Sequence, residues 1–276
     1  MLFSCVFVVP NVLAKPALDA RSFADEVISF HEGMPAARNK ANDNAPALVL
    51  GAPYHSDPSL TLGCGGVLVV RFVDNALIDV KGDDLYIFEI GPNIEATQVS
   101  ISNNAKDWIS IGQVAGSTAG LDIHDYVSEG QSFRYVRLRD LKQSCDSSTP
   151  GADIDAIGAI GSAARYHFSD DVLFDFDQSD LKAKAKQVLL HWLKDFQGQT
   201  GRLQIHGHSD QRGDNAYNMT LSEKRAQAVA AFLQGKLKKG IRIEPQGFGE
   251  SQPLSLLGTA QSDAKNRRVE MIYVSD

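Results

Sequence analysis

Cysteine is scarce, with three residues in 276. That excludes a disulfide-dense small scaffold and a four-thiolate metal site. No apolar run reaches the ~20 residues that a bilayer-spanning helix needs. No glycine-rich phosphate loop, Ser–His–Asp constellation or acid–base pair of carboxylates is evident, so no enzymatic chemistry and no cofactor is expected. An excess of basic charge is missing too. From Tyr166 onward there are 15 Lys and Arg against 14 Asp and Glu, leaving 12 against 20 before it. An acidic front half does not suit a phosphate backbone, so nucleic acid is not an expected partner; its plain consequence is a solvated, soluble surface.

What is present begins with MLFSCVFVVPNVLA, uncharged and mostly apolar. This fits the apolar part of a secretory signal ending at Ala14. The basic segment that opens such signals is missing, so the true start is expected upstream. Leu2-Phe3-Ser4-Cys5 looks faintly like a lipoprotein box, but the apolar run follows Cys5 instead of preceding it. Removal of the signal leaves Cys64 and Cys145, an even pair in an oxidising compartment. One disulfide closing a loop of about 80 residues is expected, and two buried thiols are the alternative.

Between Ala47 and Ile160, GVLVVRFVD, DLYIFEIG, TQVSISNN, WISIGQV, FRYVRLRDL and DIDAIGAIG are short and rich in Val, Ile, Phe and Tyr. Each is bounded by turn residues. Gln98–Ser102 and Phe133–Arg139 alternate polar and apolar, which puts one face of a strand on a core. Many short strands at this spacing predict a β-sandwich. Phe23, Val27 and Ile28 fit either a short helix or a leading strand. Gly161–Asp170 reads as a short linker. Beyond it, Val172–Phe176 predicts a strand and Asp180–Phe196 a helix with Ser179 as cap. Leu203–His206 predicts a second strand, and Ala226, Val229, Ala230 and Leu233 a core-facing helix stripe. Ile241 with Ile243, then Val269–Val274, complete a β-α-β-α-β-β layout with both helices on one mixed sheet.

The stretch GHSDQRGDNAYNMTLSEKRA, Gly207–Ala226, resembles the OmpA-like peptidoglycan-binding domain. So do the opening LFDFDQSDL, the IEPQGFGESQP segment and the later Asn266-Arg267-Arg268. Together they cover about Phe168–Val274. Ser209 stands where that family usually has Thr, and Asp263 where it often has Arg. The VSISNNAKDWISIGQV hairpin, with LGCGGVLVVRFVDN, DLYIFEIG and GADIDAIGAI, is similar to galactose-binding-like, or discoidin-type, sandwiches. The division expected is a signal over 1–14, a jelly-roll-like all-β sandwich over 15–160, a linker over 161–170 and an α/β OmpA-like domain over 171–276.

The resemblance implies a non-enzymatic envelope anchor that holds the diaminopimelate of the peptidoglycan stem, in the periplasm and associated with the outer membrane. Asp210 would accept the ligand's ammonium and Arg225 its carboxylate, a pairing of fixed charges suited to a zwitterion. Asn218 would add a donor and an acceptor. One of Arg267 and Arg268 would reinforce the carboxylate side while its neighbour points to solvent. The alternatives are structural: Asp210 as a cap of the next helix or paired with Arg212, Asn218 as a helix-entry cap, and Arg225 on a solvated helix face. A different arrangement makes the sandwich the working module of a glycan-binding adhesin or motor-associated protein. His206-Gly-His208-Ser-Asp210 also has the H-x-H-x-D spacing of zinc hydrolases, without a further ligand cluster. Asp83, Asp84, Glu89, Asp153 and Asp155 lie near turns and could hold calcium only by converging. Trp108 is a core residue or a sugar platform.

Overall fold

A strand sends alternate side chains to opposite faces, so Phe133–Arg139 must present Val136 and Leu138 together. The computed structural model describes residues 22–37, 45–56, 58–91, 95–143, 145–161, 163–195, 200–237 and 239–275. In it the part of this run from Tyr135 onward forms β10 (Tyr135–Asp140), flanked by β3 (Val67–Arg71) and β6 (Ala96–Ser102), antiparallel to both. Val136 sits opposite Val70 and Ile101, and Leu138 opposite Leu68 and Val99. β1 (Glu26–His31) and β7 (Ile109–Ala115) complete five strands, so the segment around Val27 and Ile28 is strand. A second antiparallel sheet holds β2 (Leu60–Thr61), β11 (Asp153–Ala159), β5 (Leu85–Glu89) and β8 (Thr118–Leu121). Leu85, Ile87, Ile154 and Ile157 from this sheet enter the same core as Leu68, Val99, Ile101 and Val136 from the first. The N-terminal unit is thus two antiparallel sheets closed on one apolar core.

Cys64 and Cys145 are joined in a disulfide, with Cα atoms 5.2 Å apart and a sequence separation of 81. By the chain-entropy argument a loop of that length is worth ~4–5 kcal/mol. The expected signal segment, Cys5 and most of the Asn-rich stretch after Arg38 lie outside the described residues.

The C-terminal unit departs from expectation at its start. Gly161–Asp170 is not a linker: Ala163–Ser169 is β12. Val172–Phe176 is not a strand: Asp170–Leu173 forms a one-turn helix, α1, with two acids in its first turn. β12 takes the sheet position that the later segment was expected to fill, pairing with β15 (Arg268–Ser275) over six residues. Helix α2 (Ala183–Asp195) begins after the expected Ser179 cap. β13 (Gly201–His208) lies between β15 and a parallel β14 (Ile241–Gly247). α3 (Asn215–Leu233) and α2 place Val229, Leu233, Leu189 and Leu193 against Leu203, Ile205, Val269 and Met271 of the sheet. A short α4 (Ala260–Asn266), not foreseen, precedes β15.

This sheet continues into the N-terminal unit. β12 pairs on its free edge with β4 (Asn75–Ile78), which pairs with β9 (Ser132–Phe133), giving six strands. Ala76, Ile78, Ala163 and Ile272 pack at the seam. Among the described residues, no helix is long and apolar enough to cross a membrane.

Candidate functional site

Asp210 follows the end of β13, where Ser209 N–H donates to the Gly249 carbonyl at 2.9 Å. The loop turns through Gly213, whose φ of 96° favours glycine. Asp214 then caps α3, accepting from the amides of Ala216 and Tyr217 at 2.9 and 3.2 Å. Neither Asp210 nor Asn218 is the cap. Instead, Asn218 Nδ2 donates to the carbonyls of Asp210 and Arg212 at 3.2 and 3.1 Å and to Glu250 at 2.7 Å. Its amide ties the loop to the helix and sets the position of Asp210.

The Asp210 carboxylate accepts from Arg267 Nη1 at 2.7 Å, Arg212 Nη2 at 2.8 Å and the Arg212 backbone amide at 3.0 Å. Burial acts to raise its pKa, but the bonds from Arg212 and Arg267 outweigh it and hold the group below the usual Asp range. Arg225 is not a solvated helix residue. It is buried, with Nη1 3.0 Å from Asp170, Nε donating to the Gln178 carbonyl at 2.8 Å, and the guanidinium over the Phe174 ring. Burial pushes Asp170 up to about 6 against the pull of Arg225, and its Oδ1 has no hydrogen-bond partner.

Asp210, Asn218, Arg225 and Arg267 line one pocket of about 390 Å³. Asp170, Asp177, Arg212 and Tyr217 join them there. Phe176 stands at its edge, 89% exposed. Asp170 was missed because it fell in the assumed linker. Arg212 is two residues from Asp210, and its side chain, 63% exposed, also lies 3.6 Å from Asp263. Carboxylates and guanidiniums thus face one small volume, an arrangement that can hold a molecule carrying both charges.

Arg268 does not belong to this pocket, nor does it point to solvent. Alternation sends it to the opposite face from Arg267, and that face is the junction with the N-terminal unit. There its Nε donates to Glu270 at 2.5 Å, and it is 3% exposed. Arg134, across the seam, grips the same carboxylate with two bonds of 2.8 and 2.6 Å. Arg165 lies 3.8 Å from it.

The H-x-H-x-D spacing does not assemble a metal site. His206 and His208 share a face of β13, but Asp210 is held by its arginines. The third group near the imidazoles is Glu270, 3.8 Å from His208. Three arginines surround that carboxylate, a field hostile to a cation. Burial pushes His206 down to about 3 and His208 well below its ordinary value.

The five acids weighed for calcium do not converge. Asp155 accepts from the amides of Tyr54 and His55, Glu89 from Gly116, Asp153 from Thr61, and Asp83 from Tyr86. Asp84 takes the amides of Val80 and Ile123, and its acidic neighbours are Asp79 and Asp122 instead. Trp108 is half-buried outside the core, with Arg137 stacked 4.4 Å from its ring.

Residues 173–267 match the OmpA family. The chain is 35% identical over 122 residues to the peptidoglycan-associated lipoprotein of Pseudomonas aeruginosa, covering 44% of this chain and 73% of that protein. It is 39% identical over 118 residues to outer membrane protein A of Bordetella avium, covering 41% of this chain and 58% of that protein. The crystal structure of the peptidoglycan-associated lipoprotein from Burkholderia pseudomallei aligns at 30% identity and a TM-score of 0.31, covering 37% of this chain and 87% of that one. With the Pseudomonas aeruginosa relative 35% identical and matched over 73% of its length, and residues 173–267 matching the family, the chain belongs to the OmpA family.

Proposed function

We propose that the C-terminal unit holds peptidoglycan non-covalently by the diaminopimelate of its peptide stem, making the protein an envelope anchor and not an enzyme. The observation that carries this reading is a buried, ionised Asp210 sharing one pocket with Arg225 and Arg267. The ligand's side-chain end carries an ammonium and a carboxylate on one carbon. Asp210 takes the ammonium, while Arg225, through the amino group its two bonds leave unused, takes the carboxylate together with Arg267.

Binding on this reading is an exchange. The incoming ammonium replaces Arg212 on Asp210, so the carboxylate is never left bare. Arg212 is mostly exposed and has Asp263 as a second partner, which makes its release inexpensive. Each charged hydrogen bond contributes ~1.5–3 kcal/mol net. Three at the upper end of that range reach micromolar affinity, and the many stems of a sacculus add avidity. The protein would sit between outer membrane and wall, in the periplasm. The N-terminal unit would be an accessory galactose-binding-like module for a glycan or an envelope protein.

The test is co-sedimentation of the mature protein with purified sacculi, wild type beside Asp210→Ala, with free meso-diaminopimelate as competitor. Equal pelleting of both proteins, or no effect of the competitor, would reject the reading.

A further inference from the structure

Leu203 and Ile205 of β13 face the helices, so Gln204 and His206 face the other way. They open into a second cavity, about 440 Å³, whose opposite wall is the Glu129–Ser132 loop of the N-terminal unit. Gly130 lets that loop come close. Its φ is 82°, and a Cβ there would lie 3.2 Å from Arg202. Its carbonyl accepts from Gln204 Nε2 at 2.6 Å. Gln204 is 6% exposed, and its Oε1 has no hydrogen-bond partner. A buried, unmatched acceptor held in place at the wall of a cavity is a costly arrangement unless something donates to it.

The rest of the lining says what that donor is. Gln246 and Gln252 from the C-terminal unit, and Asn103 and Gln131 from the N-terminal unit, border the same cleft. A carboxamide offers both a donor and an acceptor, as a sugar hydroxyl does. The charged lining residues are Arg202, which lies 3.8 Å from Glu129, and Glu244 on the same face, so the one cation is outnumbered by carboxylates. No spare cation waits for a phosphate or carboxylate. The buried His206 imidazole stays neutral and packs against Phe248, ring centroids 4.7 Å apart. Phe248 is half-buried and leaves part of its ring to the cleft.

We infer that the cleft between the two units is a binding site for a neutral saccharide, with pyranose hydroxyls on the amides of Gln204 and Gln246 and the apolar sugar face against Phe248. The site needs both units, because neither wall alone makes the cleft. It is separate from the stem pocket, since none of its lining residues lines the Asp210 cavity.

Titration calorimetry of the whole exported chain tests this, with tetra-N-acetylchitotetraose and maltotetraose as neutral probes and tetragalacturonate as an anionic one. One or both neutral probes should bind at millimolar concentrations or below. Gln246→Ala and Phe248→Ala should each weaken that binding about tenfold, the loss expected of one or two contacts. Gln246 is exposed on its strand, so its variant should fold normally, which circular dichroism checks. No heat from either neutral probe, preference for the galacturonate, or unchanged affinity in the Gln246→Ala variant would each overturn the proposal.

Discussion

Arg134 of the N-terminal unit and Glu270 of the C-terminal sheet form a two-pronged ion pair whose side chains are 2% and 0% exposed. Removing one partner of such a pair is severe, because the other charge stays buried without full compensation. Arg134→Ala is expected to lower stability by about 3–5 kcal/mol. The wild type should melt in one calorimetric transition. The variant should lose that coupling and melt in two steps or at a clearly lower temperature. An unchanged melt would show that the junction contributes little.

Arg225→Lys separates binding from folding. A lysine keeps a positive charge beside Asp170 but loses the planar fork. The variant should fold, with a near-native circular dichroism spectrum, and bind sacculi at least tenfold more weakly. Arg225→Ala should do both kinds of damage, since Asp170 then stays buried without its partner. Wild-type pelleting by the lysine variant would place the carboxylate contact elsewhere, with Arg267 the next candidate.

Arg212→Ala has the opposite sign. If Arg212 merely occupies Asp210 until a ligand arrives, deleting it removes a competitor. Affinity for meso-diaminopimelate should hold or rise, by up to about fivefold for one exposed charge pair. A loss of affinity would make Arg212 a ligand contact.

Two sets of buried groups make stability depend on pH in opposite directions. Burial raises Glu89 and Glu95 to about 7 and Asp84 to about 6. The folded state keeps protons that the unfolded chain releases, so their contribution is full below the ordinary carboxylate range and is lost as pH rises through about 6 to 7. Burial lowers His206 to about 3. Below its ordinary value of 6.5 the unfolded chain takes up a proton that the folded state refuses, so this group costs stability as pH falls toward 3. Glu89→Gln should raise the melting temperature at about pH 8 and have little effect at about pH 4, with a gain of up to about 3 kcal/mol. An equal effect of the substitution at both pH values would contradict a raised Glu89. Asp210 acts lower down. Its contribution is present above the usual carboxylate range and is lost as pH falls through its depressed pKa.

Reduction of Cys64–Cys145 should add two alkylation sites and cost ~4–5 kcal/mol. Because β4 and β12 belong to one sheet, the loss should appear in the common transition and not as a separate melt of the N-terminal unit. Intact mass after alkylation, with and without reductant, checks the bond. Melting of the same samples checks the coupling.

The features legible in the sequence were those written in local periods. Val99, Ile101, Val136 and Leu138 announced their strands by alternation, and Val229 with Leu233 announced a helix by its stripe. Asp210, Asn218 and Arg225 lie on one continuous loop and helix, and with Arg267, which follows the distant α4, they were readable as one constellation only through the family resemblance. β12 was not readable. Its Arg165 looks like a linker residue, and only Glu270, more than a hundred positions away, makes burying it tolerable. Arg268 failed for a related reason. The alternation that opposes it to Arg267 holds, but the opposite side is another part of the protein instead of water. Asp170 was hidden by the same boundary, being the first residue past a strand that was taken for a tether.

The β12–β15 ladder also sets how the molecule carries load. A wall anchor tied to a second module by a loose tether would pass tension through that tether and let the modules swing. Here the connecting segment is itself a strand, paired with β15 over six residues, from Ala164 opposite Tyr273 to Ser169 opposite Arg268, and with β4 of the other unit at Ala163 and Ala164. Pulling the units apart along the strand loads those hydrogen bonds together, so failure requires the ladder to slide as a block. The relevant quantity under tension is then the rate at which that ladder ruptures, not the equilibrium stability of either half.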